Sequence, residues 1–394
     1  MKPLAVAFLA LQFFFVTHAE SLSDSINMIR SVGAEGKGNA QAAKAWKELS
    51  KADATTLPQI LTAMKGVSPV AANWLRSAVD TIASGSKDLP VTELINFIKD
   101  HQQAPRARRL AFELIQSTHP NQAEKLIPGL INDPSTELRR EAVAKVMEEG
   151  TRQKDAKQNK SAIKSFRKAL NAARDIDQIQ TTTTALRQLN EEVDLPSHFG
   201  FLMHWNVIGP FDNTERSGFE KIFPPEKSID FRAVYEGKNG KVKWSEFITA
   251  DQYGMVDINK AYPGPGDGLK EVTAYAYGEF KAIEAREAEL RLGCKNAWKI
   301  WHNGRLIFGR DEYHRGMRID QYQLNLKLNK GRNTLLIKLC QNEQTQPWTK
   351  EWQFQLRICD STGTAIHAAD RPITPTTGTD NSKSTSKSPR RPRK

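Results

Sequence analysis

The residues best suited to chemistry gather in one short stretch. Gly309 to Gly316 reads Gly-Arg-Asp-Glu-Tyr-His-Arg-Gly. Arg310, Asp311, Tyr313 and Arg315 set charged, hydrogen-bonding groups beside one flat ring. Sugar recognition uses this mixture: a ring stacks on the C–H face of a pyranose while a few placed polar groups bond its hydroxyls. Trp348, directly after Pro347, offers a second ring. These five residues are the candidate ligand contacts. A polar loop that merely connects two strands would have much the same composition.

Other chemistries find less support. Asp311, Glu312 and Asp320 could hold a metal or form an acid pair, but a loop of this length carries acids in any case, so no metal ligand and no catalytic residue is assigned. G-x-S-x-G, H-E-x-x-H and P-loop patterns do not occur. The eight histidines are scattered, and His302 reads as a surface residue in a turn. Cys294, Cys340 and Cys359 lack C-x-x-C spacing, which leaves a zinc knuckle or an attached haem unsupported. Strand parity puts Cys294 on the face of Leu290 and Leu292, while Cys340 and Cys359 lie opposite Leu339 and Ile358. Only the latter two could share an outer face, and spacing does not show that they pair. No cofactor is expected, and the chain reads as a binding protein rather than an enzyme.

Strands must position that loop. Leu290 and Leu292 alternate with polar residues, and Trp298-Lys299-Ile300-Trp301 leads into Asn303-Gly304, after which Leu306-Ile307-Phe308 resumes the apolar run. Asn-Gly between apolar segments signals a two-residue hairpin, because both residues tolerate the positive φ of a type I′ turn. Leu324, Leu326 and Leu328 alternate again, Lys330-Gly331 turns the chain, and Leu335, Ile337 and Leu339 share one face. Further strands are expected at Leu202–Ile208, closed by Gly209-Pro210-Phe211, at Val242–Ile248 and at Thr273–Tyr277. Lys281–Glu289 could be a strand edge or a short helix, and Tyr262–Gly268 reads as a loop. Period two throughout argues for an antiparallel β-sandwich. Trp298, Trp301, Trp348 and Trp352 could line a glycan platform, but tryptophan in a β-sandwich more often belongs to the core, and Trp352, which alternates with Phe354, Leu356 and Ile358, favours it.

Trp301, Asn303 and Gly304 fit a strand ending in W-x-N-G-x, and Leu328, Gly331, Asn333, Leu335 and Lys338 fit a later L-x-x-G-x-N-x-L-x-x-K. With HWNVIGPFDN upstream and WQFQLRICDSTG downstream, roughly residues 200–370 resemble the galactose-binding-like jelly-roll domains, such as the sugar-binding domain of family 2 glycoside hydrolases. The resemblance implies a jelly-roll fold over 197–370. It also implies a sugar ligand held by loops rather than by the motif itself.

Residues 20–195 read as helices. Ser68-Pro69, Ala104-Pro105 and Asp133-Pro134 each follow one apolar helical segment and open another, as proline does in a first helical turn. Met64, Ile98 and Ile131 correspond across the segments, a period of 33–34 residues that means stacked hairpins, and the helices after each proline align with Leu75, Ala111 and Ala142 on the inner face. LRREAVAKVMEEG, from Leu138, resembles the second half of a HEAT-type repeat. Ala162, Phe166, Ala169 and Ala172-Ala173, with Ala185, Leu186 and Leu189, resemble a tetratricopeptide hairpin capping the stack. Asp194-Leu195-Pro196-Ser197 then ends the helices. The expected class is therefore multidomain, an α-solenoid of helical hairpins followed by the jelly-roll β-sandwich.

The ends complete the reading. Residues 1–19, with Lys2, an apolar Leu4–Val16 and Thr17-His18-Ala19, look like a signal peptide, so the protein is expected to be secreted or periplasmic. No later stretch is apolar enough for a transmembrane segment. Net charge is +12, but residues 371–394 alone hold seven Lys/Arg and one Asp, in a basic tail expected to be disordered. The folded part is then only mildly basic, and specific nucleic-acid binding is not expected. Two functions fit: a secreted protein whose sandwich binds glycan or polysaccharide, with the helical repeats as spacer or protein-docking surface, or an extracytoplasmic scaffold whose solenoid binds a protein partner while the sandwich is structural.

Overall fold

Proline sets the starts of several helices: Pro69, Pro105 and Pro120 each stand in a first helical turn. The computed structural model describes residues 22–264 and 268–371. The expected signal peptide, the tail beyond Arg371, and Pro265, Gly266 and Asp267 of the Tyr262–Gly268 loop lie outside them. The chain divides into two compact units between Glu191 and Glu192. The first is helical, and the second is built mainly of antiparallel sheets.

In the helical unit α1 (residues 22–30) is followed by α2 (Asn39–Leu49), α3 (Leu57–Thr62), α4 (Pro69–Gly85), α5 (Val91–Lys99) and α6 (Pro105–Thr118). Next come α7 (Pro120–Leu126), α8 (Thr136–Asp155), α9 (Asn159–Ala172) and α10 (Ile176–Gln188). Ala71, Leu75, Ala78, Val79 and Ile82 recur at helical spacing along α4 and are all buried, the stripe expected of a helix that packs on one face. Leu75, Ala111 and Ala142 are buried in one apolar cluster running from Ile26 to Ala142.

The third proline departs from expectation. Pro134 precedes its helix, and α8 starts at Thr136 with Ser135 as cap, its Oγ accepting the Leu138 N–H at 3.4 Å. The cause is Asp133, which is buried and accepts the Ser135 N–H at 2.8 Å. Its carboxylate also takes both arms of the Arg108 fork, at 2.8 and 2.6 Å. Arg108 donates Nε–H to the Ile98 carbonyl at 2.7 Å, and Arg139 reaches the Asp133 carbonyl at the same distance. One buried pair thereby ties α5, α6 and α8 together. Farther on, a Cβ at Gly150 would lie 2.8 Å from the Phe166 ring, so glycine lets α8 and α9 close on each other.

The second unit opens with α11 (Leu195–Phe199), a short helix where a simple break was expected, because the Asp194 carboxylate caps it through the Ser197 N–H at 2.9 Å. Its strands are β1 (His204–Asp212), β2 (Val234–Gly237), β3 (Gly240–Lys243), β4 (Ser245–Ile248), β5 (Val256–Asp257) and β6 (Val272–Ala282). After them come β7 (Arg286–Cys294), β8 (Ala297–His302), β9 (Arg305–Arg310), β10 (Tyr322–Leu328), β11 (Gly331–Gln341) and β12 (Gln353–Cys359). Two short helices, α12 (Pro224–Lys227) and α13 (Ile258–Ala261), lie in the connections. A six-stranded sheet has the order β4-β1-β6-β11-β8-β9, a four-stranded sheet β10-β7-β12-β5, and β2-β3 form a separate ribbon.

Trp205, Ala276, Ile300 and Ile337 from the larger sheet join Leu292, Leu328, Phe354 and Leu356 from the smaller in one apolar cluster. The other face of the larger sheet is covered too. There Phe211, Tyr275, Tyr277 and Leu336 pack with Phe223, Val242 and Trp244. Burial on both faces explains why β6 is buried without interruption from Val272 to Gly278 rather than alternating.

Several local expectations change. β1 continues through Gly209-Pro210 to Asp212, with a shift of register between Ile208 and Phe211. Residues 242–248 split into β3 and β4 at Trp244, whose ring turns toward Phe231 and Tyr277. Lys281–Glu289 becomes the end of β6 and the start of β7. Asn303 and Gly304 have φ of 50° and 78°, as a type I′ turn requires. The turn at Lys330-Gly331 leads from one sheet to the other, since β10 pairs with β7 and β11 with β6 and β8. Cys340 and Cys359 do not pair: all three cysteines are free thiols, buried on different strands.

Candidate ligand-binding end of the β unit

β11 ends at Gln341, β8 begins at Ala297 and β9 ends at Arg310, so the connections after β1, β7, β9 and β11 meet at one end of the sheets. The Gly309–Gly316 stretch belongs to this end, and Trp348 stands on the 342–352 connection that leaves from it. A network of buried carboxamides joins them. The Asn213 Nδ2 donates to the Gln341 carbonyl at 2.9 Å and to the Tyr313 hydroxyl at 3.2 Å. Asn296 donates to Gln341 Oε1 at 3.0 Å, and Gln341 donates onward to the Thr349 carbonyl at 3.0 Å. His314 Nε2 lies 2.6 Å from Asn342 Oδ1, which also accepts the Gln344 N–H at 3.2 Å. That oxygen can only accept, so Nε2 carries the proton and Nδ1 is the bare acceptor.

The five candidate residues take different positions within this end. Tyr313 is half-buried against Phe219, Ala297 and Cys340, and the Arg216 guanidinium lies 5.3 Å from its ring centroid. Arg216 is itself held by Glu343 at 2.5 Å. Burial pushes the Tyr313 hydroxyl up from its ordinary range. Arg310 and Arg315 are exposed and both pair with Glu312 at 3.0 Å. Asp311 is exposed, yet partial burial of its carboxyl, and then the nearby Glu220, raise its pKa. Trp348 is 63% exposed, whereas Trp298, Trp301 and Trp352 are buried. Asp311, Glu312 and Asp320 do not converge: Asp320 faces Arg291 and Arg357, and Glu312 faces the two arginines.

Some polar atoms here have no partner. The Asn296 Oδ1, the Asn342 Nδ2 and the His314 Nδ1 are buried without a hydrogen bond among the described residues. Burial is the main cause that lowers the His314 pKa, with Lys270, Lys295 and Arg216 adding to it against the Asn342 bond. The imidazole is therefore neutral at neutral pH. These three atoms are one donor and two acceptors, each shielded from solvent.

The motif residues turn out to be structural. Asn333 is buried, and its Nδ2 donates to the carbonyls of Asn329 at 2.8 Å and Gly331 at 3.1 Å. Its Oδ1 accepts the Asn329 N–H at 2.9 Å and Asn303 Nδ2 at 3.2 Å. Lys338 is fully buried, and its ammonium donates to the carbonyls of Phe219 and Lys221 and to Glu226 Oε1, at 2.9, 2.7 and 2.9 Å. Tyr275 donates to the same carboxylate. Burial lowers the Lys338 pKa, and Glu226 offsets part of that. All three ammonium donors are used, so Lys338 anchors the chain between β1 and β2 rather than offering a reactive amine.

No known protein family matches this chain, and no curated protein does. Among solved structures, a beta-glucosidase from Kluyveromyces marxianus in complex with glucose matches at 12% identity and a TM-score of 0.26, over 41% of this chain and 16% of that one. An anti-sigma factor domain-containing protein matches at 13% identity and 0.23, over 31% and 38%. A GH31 alpha-xylosidase from Xanthomonas citri matches at 13% and 0.20, over 33% and 18%. This chain thus spans well under half the length of each, and likenesses at these scores say nothing of activity. Among the described residues no helix is long and apolar enough to cross a membrane.

Proposed function

We propose that this is an exported, non-catalytic protein whose β unit is a galactose-binding-like jelly-roll β-sandwich that binds glycan at the loop end. On this reading the helical unit is a stack of HEAT-like hairpins, closed by a tetratricopeptide-like pair, that serves as spacer or protein-docking surface. The observation that carries it is Trp348. An indole left 63% exposed supplies a ring for a sugar to stack on, at an end that also carries the exposed polar side chains of Arg310, Asp311 and Arg315. Tyr313 contributes differently from Trp348: with Arg216 over its ring, it shapes the wall of the site, while Arg310, Asp311 and Arg315 line the exposed margin.

Affinity electrophoresis in gels carrying different polysaccharides tests this, whichever sugar is bound. At least one gel should retard the full-length protein, and Trp348→Ala should remove the retardation with an unchanged melting curve, because the side chain packs on little. If no polysaccharide retards the wild type, the glycan reading falls. A scaffold role then gains weight, and one feature favours it. Asn73, Arg76, Ser77, Asp80, Thr81 and Ser84 line a shallow polar groove along α4, with donors and acceptors suited to a peptide backbone.

A further inference from the structure

On one helix the charges work against the helix itself. α9 has no acidic residue in its first turn and carries Lys160 there instead. The N-terminal end of a helix is its positive pole, so a cation at that place is unfavourable. Lys164 and Lys168 follow at four-residue steps, and like charges at that spacing weaken a helix further. All three side chains belong to the solvent side of α9, and Lys157, at φ 60° in the preceding turn, is exposed as well. Among the described residues none of these four side chains has an acidic or hydrogen-bonding partner.

Several basic side chains of other helices, and Arg167 of α9 itself, are instead paired. Arg76 pairs with Glu113, Arg109 with Glu113 and Glu141, and Arg140 with Asp175 and Asp177. Charge counts make the same point. Residues 145–174 hold nine Lys/Arg against three Asp/Glu, while the rest of residues 22–191 hold sixteen of each. The whole excess charge of the helical unit is thus concentrated on α9 and its approaches.

We infer that the Lys157–Lys168 stripe is a binding surface for a linear acidic polysaccharide, whose carboxylates or sulfates lie along α9. Successive lysines at four-residue steps stand about 6 Å apart along the axis, a row of point charges matched to a repeating anion rather than to one buried ligand. Two other polyanions fit less well. Single-stranded nucleic acid is held by stacking on aromatic rings as well as by charge, and the only ring on α9, Phe166, is buried. A helix that lies in a membrane surface presents apolar residues to the lipid, whereas the apolar face of α9, Ala162, Phe166, Ala169 and Leu170, is buried.

The test uses the full-length protein and two triple variants. K160Q/K164Q/K168Q removes the stripe, and K37Q/K44Q/K47Q removes the same charge from lysines elsewhere in the helical unit. Binding to heparin and to polygalacturonate is measured by titration at fixed moderate salt, beside duplex DNA and phosphatidylserine vesicles. Glutamine keeps helix propensity, so both variants should melt like wild type. The stripe variant should bind at least one of the two polysaccharides about tenfold more weakly, and the control about as tightly as wild type, with wild-type affinity falling as salt rises. Any contribution from the basic residues beyond Arg371 is common to all three proteins. Equal losses in both variants, or no binding of either polysaccharide by the wild type, would overturn the stripe as a polysaccharide site. Tighter binding to DNA or to vesicles than to either polysaccharide would overturn the choice of partner. Trp348→Ala should leave this binding intact, which separates it from the loop-end site.

Discussion

The two units handle opposite charges in contrasting ways. The helical unit strings most of them along its surface: Arg76, Glu113, Arg109 and Glu141 form a chain of pairs from α4 through α6 to α8. The β unit has surface pairs as well, Arg216–Glu343 and Arg332–Glu279 among them, but it also draws several charges inside. Arg357 is 3% exposed and puts Nε and Nη2 on the Asp320 carboxylate at 2.7 and 2.5 Å, while Nη1 donates to the carbonyls of Phe199 and Gly363. Arg291 adds a second guanidinium to Asp320 at 2.9 Å, and Lys338 is enclosed in the same manner elsewhere. Surface pairs between helices align neighbours at little energetic gain, because water screens them. Buried pairs hold irregular chain in one place, and losing one partner leaves a desolvated charge behind. A β unit with long connections uses the second device at several points, whereas the helices of the first unit, already fixed by their apolar faces, rely mainly on the first. Arg108–Asp133 is the exception, and it sits where the chain between α7 and α8 is irregular.

Removing one member from each kind of pair sharpens this contrast. Asp320→Ala should destabilise the β unit by about 3–5 kcal/mol, measured by chemical denaturation followed through near-ultraviolet circular dichroism. An effect under about 1 kcal/mol would show that the buried cluster is not what holds this region. The same carboxyl carries a pH signature. Burial pushes its pKa up, but hydrogen bonds and charge from Arg357, then Arg291, outweigh burial and hold it below the ordinary value. A carboxyl depressed in the folded state contributes stability that is present above its unfolded pKa, near 3.8, and is lost as pH falls toward the folded value. Wild type should therefore lose stability below about pH 4 by a component that Asp320→Ala lacks.

The smallest effect belongs to the surface chain. Arg109→Ala should cost the helical unit about 0.2–1 kcal/mol, even though Arg109 touches both Glu113 and Glu141. A loss as large as that of Asp320→Ala would erase the distinction between the two units.

Local physics is legible in the sequence, and long-range physics is not. Asn303-Gly304 announces its turn because the φ requirement is met by those two residue types alone. Strand parity is enough to place Trp352 in the core, and the burial of Leu75, Ala111 and Ala142 follows from helical spacing. Asn333 and Lys338 are visible only as members of a pattern. What Lys338 does depends on Phe219, 119 residues earlier, and no periodicity carries that information. Tyr313 shows the same limit at the candidate site: it follows β9, whereas Arg216, which lies over its ring, precedes β2. Asn213, Gln341 and Asn342 do not stand out because buried carboxamides look like any loop residues until their partners are known. The start of α8 falls later than proline spacing implies for a related reason: Asp133 answers to Arg108 rather than to Pro134.

On the proposed reading, glycan meets the β unit at Trp348. Indole N–H resonances in a ¹⁵N-labelled full-length sample test it most directly, with the Trp348 signal assigned by its absence in Trp348→Phe. Titrating oligosaccharides from whichever polysaccharide retards the protein should move the Trp348 signal in step with saturation, while those of the buried Trp298 and Trp352 stay nearly still. Saturable binding with an unmoved Trp348 signal would mean that glycan binds elsewhere on the protein.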